Sequence, residues 1–161
     1  MESIITAATV LTMYFNAINS SDVNYLYNAD MEDNVVNKIE VYEKNANQQI
    51  AQKMEYTYEY DEQGRLVNKE MLSWDEAKQQ WTKSSRLVYK YYKNGYNVEV
   101  STWNADKQAY DLPSEVTLYR SAGPNMTSVK TYRMNETQDN MYLANRMIVM
   151  ESIDSRLLAD I

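Results

Sequence analysis

The sequence predicts an all-β fold, an antiparallel up-and-down meander of about eight or nine strands, strongly twisted or curled. Three observations predict it. Large apolar residues alternate with polar ones, most plainly where Met54, Tyr56, Tyr58 and Tyr60 interleave with Lys53, Glu55, Thr57 and Glu59, which puts the two sets on opposite faces of a strand. Tight-turn signals separate such stretches: Asp61-Glu62-Gln63-Gly64, Lys93-Asn94-Gly95 and Ser121-Ala122-Gly123-Pro124-Asn125, of which Asn-Gly between alternating residues is the strongest hairpin cue. A second kind of loop recurs between aromatic gateposts, first from Trp74 to Trp81 and again from Trp103 to Tyr110.

Composition agrees with this class. A chain of 161 residues suits one domain, since domains run from roughly 50 to 250 residues. Aromatic content is carried by 15 Tyr against one Phe and three Trp, so the core is built from rings whose hydroxyls need partners when buried. With three Gly and two Pro, most turns fall to Asn and Asp, which bond their own main chain and tolerate unusual backbone angles. The net charge of −7 argues against nucleic acid and anionic membrane surfaces as partners, because both are bound through Lys and Arg. Cysteine and histidine are both absent, which excludes disulfides, Cys/His zinc sites and His-based nucleophile pairs. No cofactor is implied.

Residues 1–20 differ from the rest. The uncharged run from Ile4 to Phe15, followed by Asn16-Ala17-Ile18-Asn19-Ser20, predicts a signal peptide, leaving residues 21–161 as a single repeat-hairpin β domain. Glu2 stands where a leader has a basic residue, and the alternative is an N-terminal helix packed on the sheet. The run is too short for a membrane span.

Period two begins near Asp22. Tyr25 and Tyr27 share a face, then Val35, Ile39 and Val41 follow the turn at 30–34, and the Met54 strand is next. After the Asp61 turn, Leu66 to Trp74 returns. Beyond the first gatepost loop, Trp81 to Tyr92 goes out with Leu87, Tyr89 and Tyr91 in phase, and Tyr96 to Thr102 comes back. Tyr110 to Arg120 is one further strand with Val116 and Leu118 in phase. A degenerate third loop sets Met134 and Tyr142 as gateposts, and residues 42–50 form an earlier fourth copy. Tight turns and gatepost loops alternate, so in a meander the gatepost loops line one rim. The tail 151–161, with Ile153, Leu157 and Leu158 at helical spacing, reads as a short covering helix or a frayed end.

The segment Tyr58-Glu59-Tyr60-Asp61-Glu62-Gln63-Gly64-Arg65-Leu66 resembles the Tyr-Asp repeat of large bacterial shell and toxin proteins. Together with the leader-like start and the repeated Trp loops, it is also similar to the secreted domain-of-unknown-function family 3836 of Bacteroidales, over roughly residues 22–120. That resemblance implies an extracytoplasmic all-β protein and brings no catalytic residues.

Candidate chemistry is sparse. Glu55 and Glu59 lie four residues apart on one strand face, roughly 13 Å at strand rise, too far for either common glycosidase geometry, and are expected on a solvated face. Asp75, Glu76, Asp106, Asp111 and Asp139 near the rim are oxygen donors that either hold calcium or serve turn chemistry. The gateposts Trp74, Trp81, Trp103 and Tyr110 are the candidate binding residues. Their rings either present faces to a sugar or a protein partner or meet across strands and seal the core. The expected function is a non-enzymatic, extracytoplasmic binding or surface protein whose partner is an unknown protein or glycan. A glycan-binding or glycan-active accessory protein and a structural module that self-associates through edge strands are the alternatives.

Overall fold

A computed structural model describes residues 4–20, 24–45 and 47–150. It places one helix, α1 (Ala7–Ile18), before a ten-stranded sheet. The strands are β1 (Tyr25–Glu32), β2 (Val35–Lys44), β3 (Ile50–Tyr60), β4 (Leu66–Asp75), β5 (Gln80–Tyr92), β6 (Gly95–Asn104), β7 (Ala109–Tyr110), β8 (Glu115–Gly123), β9 (Met126–Met134) and β10 (Met141–Met150). Their order is β1-β2-β3-β4-β5-β6-β8-β9-β10, every pairing antiparallel, with β7 attached to β6. The sheet is a meander that stays open, with β1 and β10 as its edges.

The strand expected over Tyr110 to Arg120 is in fact two. Asp111-Leu112-Pro113-Ser114 interrupts it, and Pro113, lacking an N–H, cannot carry a ladder. Pairing resumes once the Ser114 amide donates to the Val100 carbonyl at 2.9 Å. Register shifts interrupt the β1–β2, β2–β3, β3–β4, β4–β5, β8–β9 and β9–β10 pairings. Bulges of this kind add twist, and the curled sheet brings Val36, Ile39, Val41, Leu66, Tyr89 and Tyr96 into one buried cluster.

The helix covers part of this inner face. Thr6 caps it with a reciprocal Thr6–Thr9 box, and Val10 is 1% exposed within the core cluster. The N-terminal segment is tied to the Asp61 turn: Thr6 bridges to Arg65, the Ala7 amide donates to the Gly64 carbonyl at 3.0 Å, and the Leu66 amide donates to the Ile5 carbonyl at 2.9 Å. Residues 7–18 therefore show the sheet-packed helix of the two readings. Export leaders are themselves apolar and helix-forming, so the helix accords with a leader as well.

The turn itself is built by Asp61, whose Oδ1 accepts from the Gln63 and Arg65 amides at 3.0 Å while Oδ2 accepts from Arg65 Nε at 2.7 Å. Two core tyrosines satisfy their hydroxyls on main-chain carbonyls. Tyr60 donates to the Val36 carbonyl at 2.8 Å and Tyr91 to the Leu66 carbonyl at 2.7 Å, and burial pushes both hydroxyls up to about 12. The tail 151–161 lies outside the described residues, and with it the expected covering helix or frayed end.

Candidate functional site

Because the meander alternates direction, the loops β2–β3, β4–β5, β6–β7 and β9–β10 share one end and the tight turns share the other. The rim predicted from the gatepost pattern is therefore present, including its two degenerate copies. All four loops use one device. A residue with a short side-chain oxygen opens each loop and accepts main-chain amides: Asn45 from Asn47 and Gln49, Asp75 from Lys78, Asn104 from Asp106 and Lys107, Asn135 from Asp139 and Asn140. A glutamine then takes a left-handed backbone, with φ of 60° at Gln48, 51° at Gln79 and Gln108, and 59° at Gln138.

The gateposts stand at the feet of two of these loops. Trp74 is directly opposite Trp81 and Trp103 opposite Tyr110. Each pair packs edge to face, with centroids 5.2 Å apart at 71° in the first and 5.0 Å apart at 73° in the second, the geometry aromatic quadrupoles prefer. All four rings are half-buried. They lie on the outer face, opposite the core cluster, as the ladder from Leu87 and Tyr89 through Val100 and Val98 to Trp103 requires.

A charged cluster joins the second pair to neighbouring strands. Tyr110 reaches across to β4 and donates to Glu70 Oε1 at 2.7 Å, and Lys83 Nζ is 2.9 Å from the same oxygen. Lys83 also stands 5.2 Å above the Trp103 ring, and Arg86 stands 4.3 Å above Tyr110, both cation–π distances. Burial works to raise the Glu70 carboxyl, but the hydrogen bonds from Lys83 and Tyr110 and the charges of Lys83 and Arg86 prevail and hold it low. Burial and the bond to Glu70 push the Tyr110 hydroxyl well up. Among the described residues no cation lies over Trp74 or Trp81, whose rings are the freer of the two pairs.

Three of the five rim carboxylates, Asp75, Asp111 and Asp139, serve their own loops; Glu76 and Asp106 make no side-chain bond among the described residues. The Lys78 amide leads in holding the Asp75 carboxyl low, Lys107 and Asn104 do the same for Asp111, and Asn135 and Thr137 for Asp139. These are turn roles, one of the two readings offered for them. Between the 111–114 segment and the β9–β10 loop lies a rim cavity of about 260 Å³, lined in part by Asp111, Leu112, Met134, Asn135, Glu136 and Gln138.

Glu55 departs from the solvated face expected of it. It is 9% exposed and lies 3.5 Å from Lys38 Nζ, because β2 covers one side of its strand with a cation. Glu59 does remain on the surface, accepting from Asn68 at 3.3 Å. Sequence reasoning missed Glu70, Lys83 and Arg86 as neighbours of the gateposts; only register brings them there.

The chain matches a family of unknown function, DUF3836, over residues 1–121. It belongs to that family. The matched span includes α1 and stops within β8, so DUF3836 covers the Asp61 turn and both complete gatepost loops. Among solved structures it is similar to a protein of unknown function from Bacteroides fragilis, at 26% identity and a TM-score of 0.67 over 78% of this chain and 91% of that one. DUF3836 proteins from Bacteroides vulgatus (24% identity, TM-score 0.56, 59% of this chain and 97% of that one) and Parabacteroides distasonis (17%, 0.52, 78% and 89%) share the fold. A search of curated proteins finds no match.

Proposed function

We propose that this DUF3836 protein is a non-enzymatic binding protein of the extracytoplasmic space, engaging a protein or glycan with its loop rim and the aromatic outer face beside it. The observation that carries the reading is the pair of edge-to-face gateposts, half-exposed and held at one end by four loops of common design. Beside the second pair, Glu70 is held by Lys83 and Tyr110, and Lys83 and Arg86 stand over its rings. The rings of Trp74 and Trp81 are not coplanar, as stacking of a sugar on both would need, but stand at 71°. For a glycan the favoured contact is therefore a single ring face of this pair, since Lys83 and Arg86 already lie over the rings of the other.

A glycan array and a pull-down with the parent protein and with Trp74→Ala test the binding. Loss of a specific ligand in the variant supports the reading, whereas a ligand bound equally well by both removes the gateposts from the function. Export is tested by fractionating a Bacteroides host: recovery outside the cytoplasm, shortened by about twenty N-terminal residues, supports it, and full-length protein in the cytoplasm overturns it.

One observation favours self-association as a second reading. Edge strand β10 exposes Tyr142, Leu143, Met147, Ile148, Val149 and Met150, each by 45% or more, and such a strand is a template for pairing. Antiparallel pairing about its centre sets Arg146, the strand's only charge, opposite Asn145 of a second copy and joins apolar residues elsewhere. Light scattering at two concentrations decides: a monomer at both speaks against it.

A further inference from the structure

The inner face holds a second feature, remote from the gateposts. Tyr25, Tyr27, Val41, Lys53, Met54 and Tyr56 line a cavity of about 220 Å³. Its walls are aromatic and aliphatic, and its lining includes no residue of α1. Three polar groups around it are uncommitted. The hydroxyls of Tyr25, Tyr27 and Tyr58 have no hydrogen-bond partner among the described residues, while Tyr56, a wall of the cavity, donates only to Met54 Sδ at 3.7 Å, a weak acceptor.

Lys69 is the more telling group. It projects onto the same apolar face, opposite Tyr58 in the ladder, and its Nζ is 4.4 Å from the Tyr56 centroid and 5.8 Å from that of Tyr58. Lys38, Lys53, Lys83 and Lys90 meet carboxylates; Lys69, on the inner face, meets none among the described residues. A cation withdrawn from water without an anion is unfavourable, and burial accordingly depresses the Lys69 ammonium. An anion at this position would supply the missing counter-charge.

We propose that this cavity binds a small apolar monocarboxylic acid, its hydrocarbon body against Tyr25, Tyr27, Met54 and Tyr56 and its carboxylate directed to Lys69 and the neighbouring tyrosine hydroxyls. The apolar walls disfavour a polyol or polyphosphate, whose many polar groups would lose water without replacement. A single head group matches a single ammonium that meets two rings but no carboxylate. Lys53 belongs to the lining but is already paired with Glu43, so it closes one side and leaves the anion to Lys69.

Calorimetric titration of the full chain with octanoate, octanol and octyl sulfate, below their micelle concentrations, tests this. The expected result is saturable one-to-one octanoate binding, with octanol and octyl sulfate each weaker by about tenfold or more. Equal binding of octanoate and octanol means apolar adhesion only, tighter binding of octyl sulfate assigns the wrong head group, and no binding at all leaves the cavity without this ligand; each result overturns the proposal. Lys69→Met should weaken octanoate by about tenfold or more while leaving octanol unchanged, and unchanged octanoate affinity also overturns it. Should Lys69→Met fail to fold, Met54→Trp fills the cavity and keeps the charge: octanoate binding that survives in folded Met54→Trp overturns the assignment.

Discussion

Replacing Gly95 by alanine tests how β6 and β8 meet. Gly95 opens β6 with φ of 144°, and a Cβ built there would stand 1.9 Å from the Tyr119 carbonyl oxygen, 2.9 Å from its carbon and 3.1 Å from Arg120 Cα. All three are main-chain atoms, so no rotamer change relieves the clash. Ordinary contact begins at 3.4 Å, and the two strands must separate locally by about 1.5 Å. That displacement falls where the Arg120 guanidinium donates to the Tyr96 and Tyr119 carbonyls at 2.8 Å and where Tyr96 stacks on Tyr119 at 4.5 Å. Strained backbone together with lost packing puts the loss at about 3 kcal/mol or more, or about 6–12 °C in Tm for a chain of this size. Gly64→Ala is the matched control. Its φ is 69°, nothing lies within 4 Å of the new Cβ, and the cost is the left-handed backbone alone, about 1–2 kcal/mol. Urea unfolding followed by tryptophan fluorescence measures both. If Gly95→Ala loses no more than Gly64→Ala, the close approach of β6 to β8 is wrong.

Three further outcomes follow from the same geometry. Tyr110→Phe removes the bond to Glu70 and should cost about 1–2 kcal/mol in urea unfolding; no loss would mean that the Glu70 cluster is held by Lys83 alone. A double-mutant cycle on Trp74 and Trp81 should return a coupling of about 0.5–1.5 kcal/mol, and a coupling near zero contradicts edge-to-face contact. The Asp61 carboxyl is held below its ordinary value by Arg65, which bonds it through both side chain and main chain. The unfolded chain therefore binds the proton more readily, so this stabilisation is present above the ordinary value of 3.8 and is lost as pH falls from there through the lower folded value. The urea midpoint should fall over that window, less steeply in Asp61→Asn, and an unchanged slope would remove Asp61 from the acid response.

The strands were legible because Tyr and Val alternate against Lys, Glu and Thr, and the common rim because tight turns and gatepost loops alternate. Legibility failed where a single residue changes phase. Trp81 and Leu87 sit an even number of positions apart and read as one face, yet Ser84 is an extra residue in the β4–β5 pairing. The bulge therefore sends Trp81 outward while Leu87 packs inward. From the same cause Glu70, Lys83 and Arg86 could not be placed beside Tyr110, since their approach depends on a shifted register that local pattern does not encode. The loop glutamines are a different kind of miss. Left-handed backbone is expected of Gly, Asn or Asp, so Gln48, Gln79, Gln108 and Gln138 gave no conformational cue singly. Their recurrence three or four positions after Asn45, Asp75, Asn104 and Asn135 was the available signal.

That recurrence has a consequence for recognition. Each rim loop spends its opening side chain on its own amides, and Gln79 and Gln108 donate to the carbonyls of Glu76 and Ala105 at 2.7 and 2.6 Å. Groups already satisfied within a loop gain little from a partner, because any new hydrogen bond displaces an existing one. Contact energy at this end must then come chiefly from surface that loses water without breaking internal bonds, namely the half-exposed gatepost rings and Leu112, which is 74% exposed beside the rim cavity. On the proposed binding reading, the loops are supports whose sequences can vary while their shape is kept, and the residues at their feet set what is bound. Exchanging Glu76-Ala77-Lys78 for Ala105-Asp106-Lys107 should accordingly leave ligand binding nearly unchanged, whereas Trp74→Ala should abolish it.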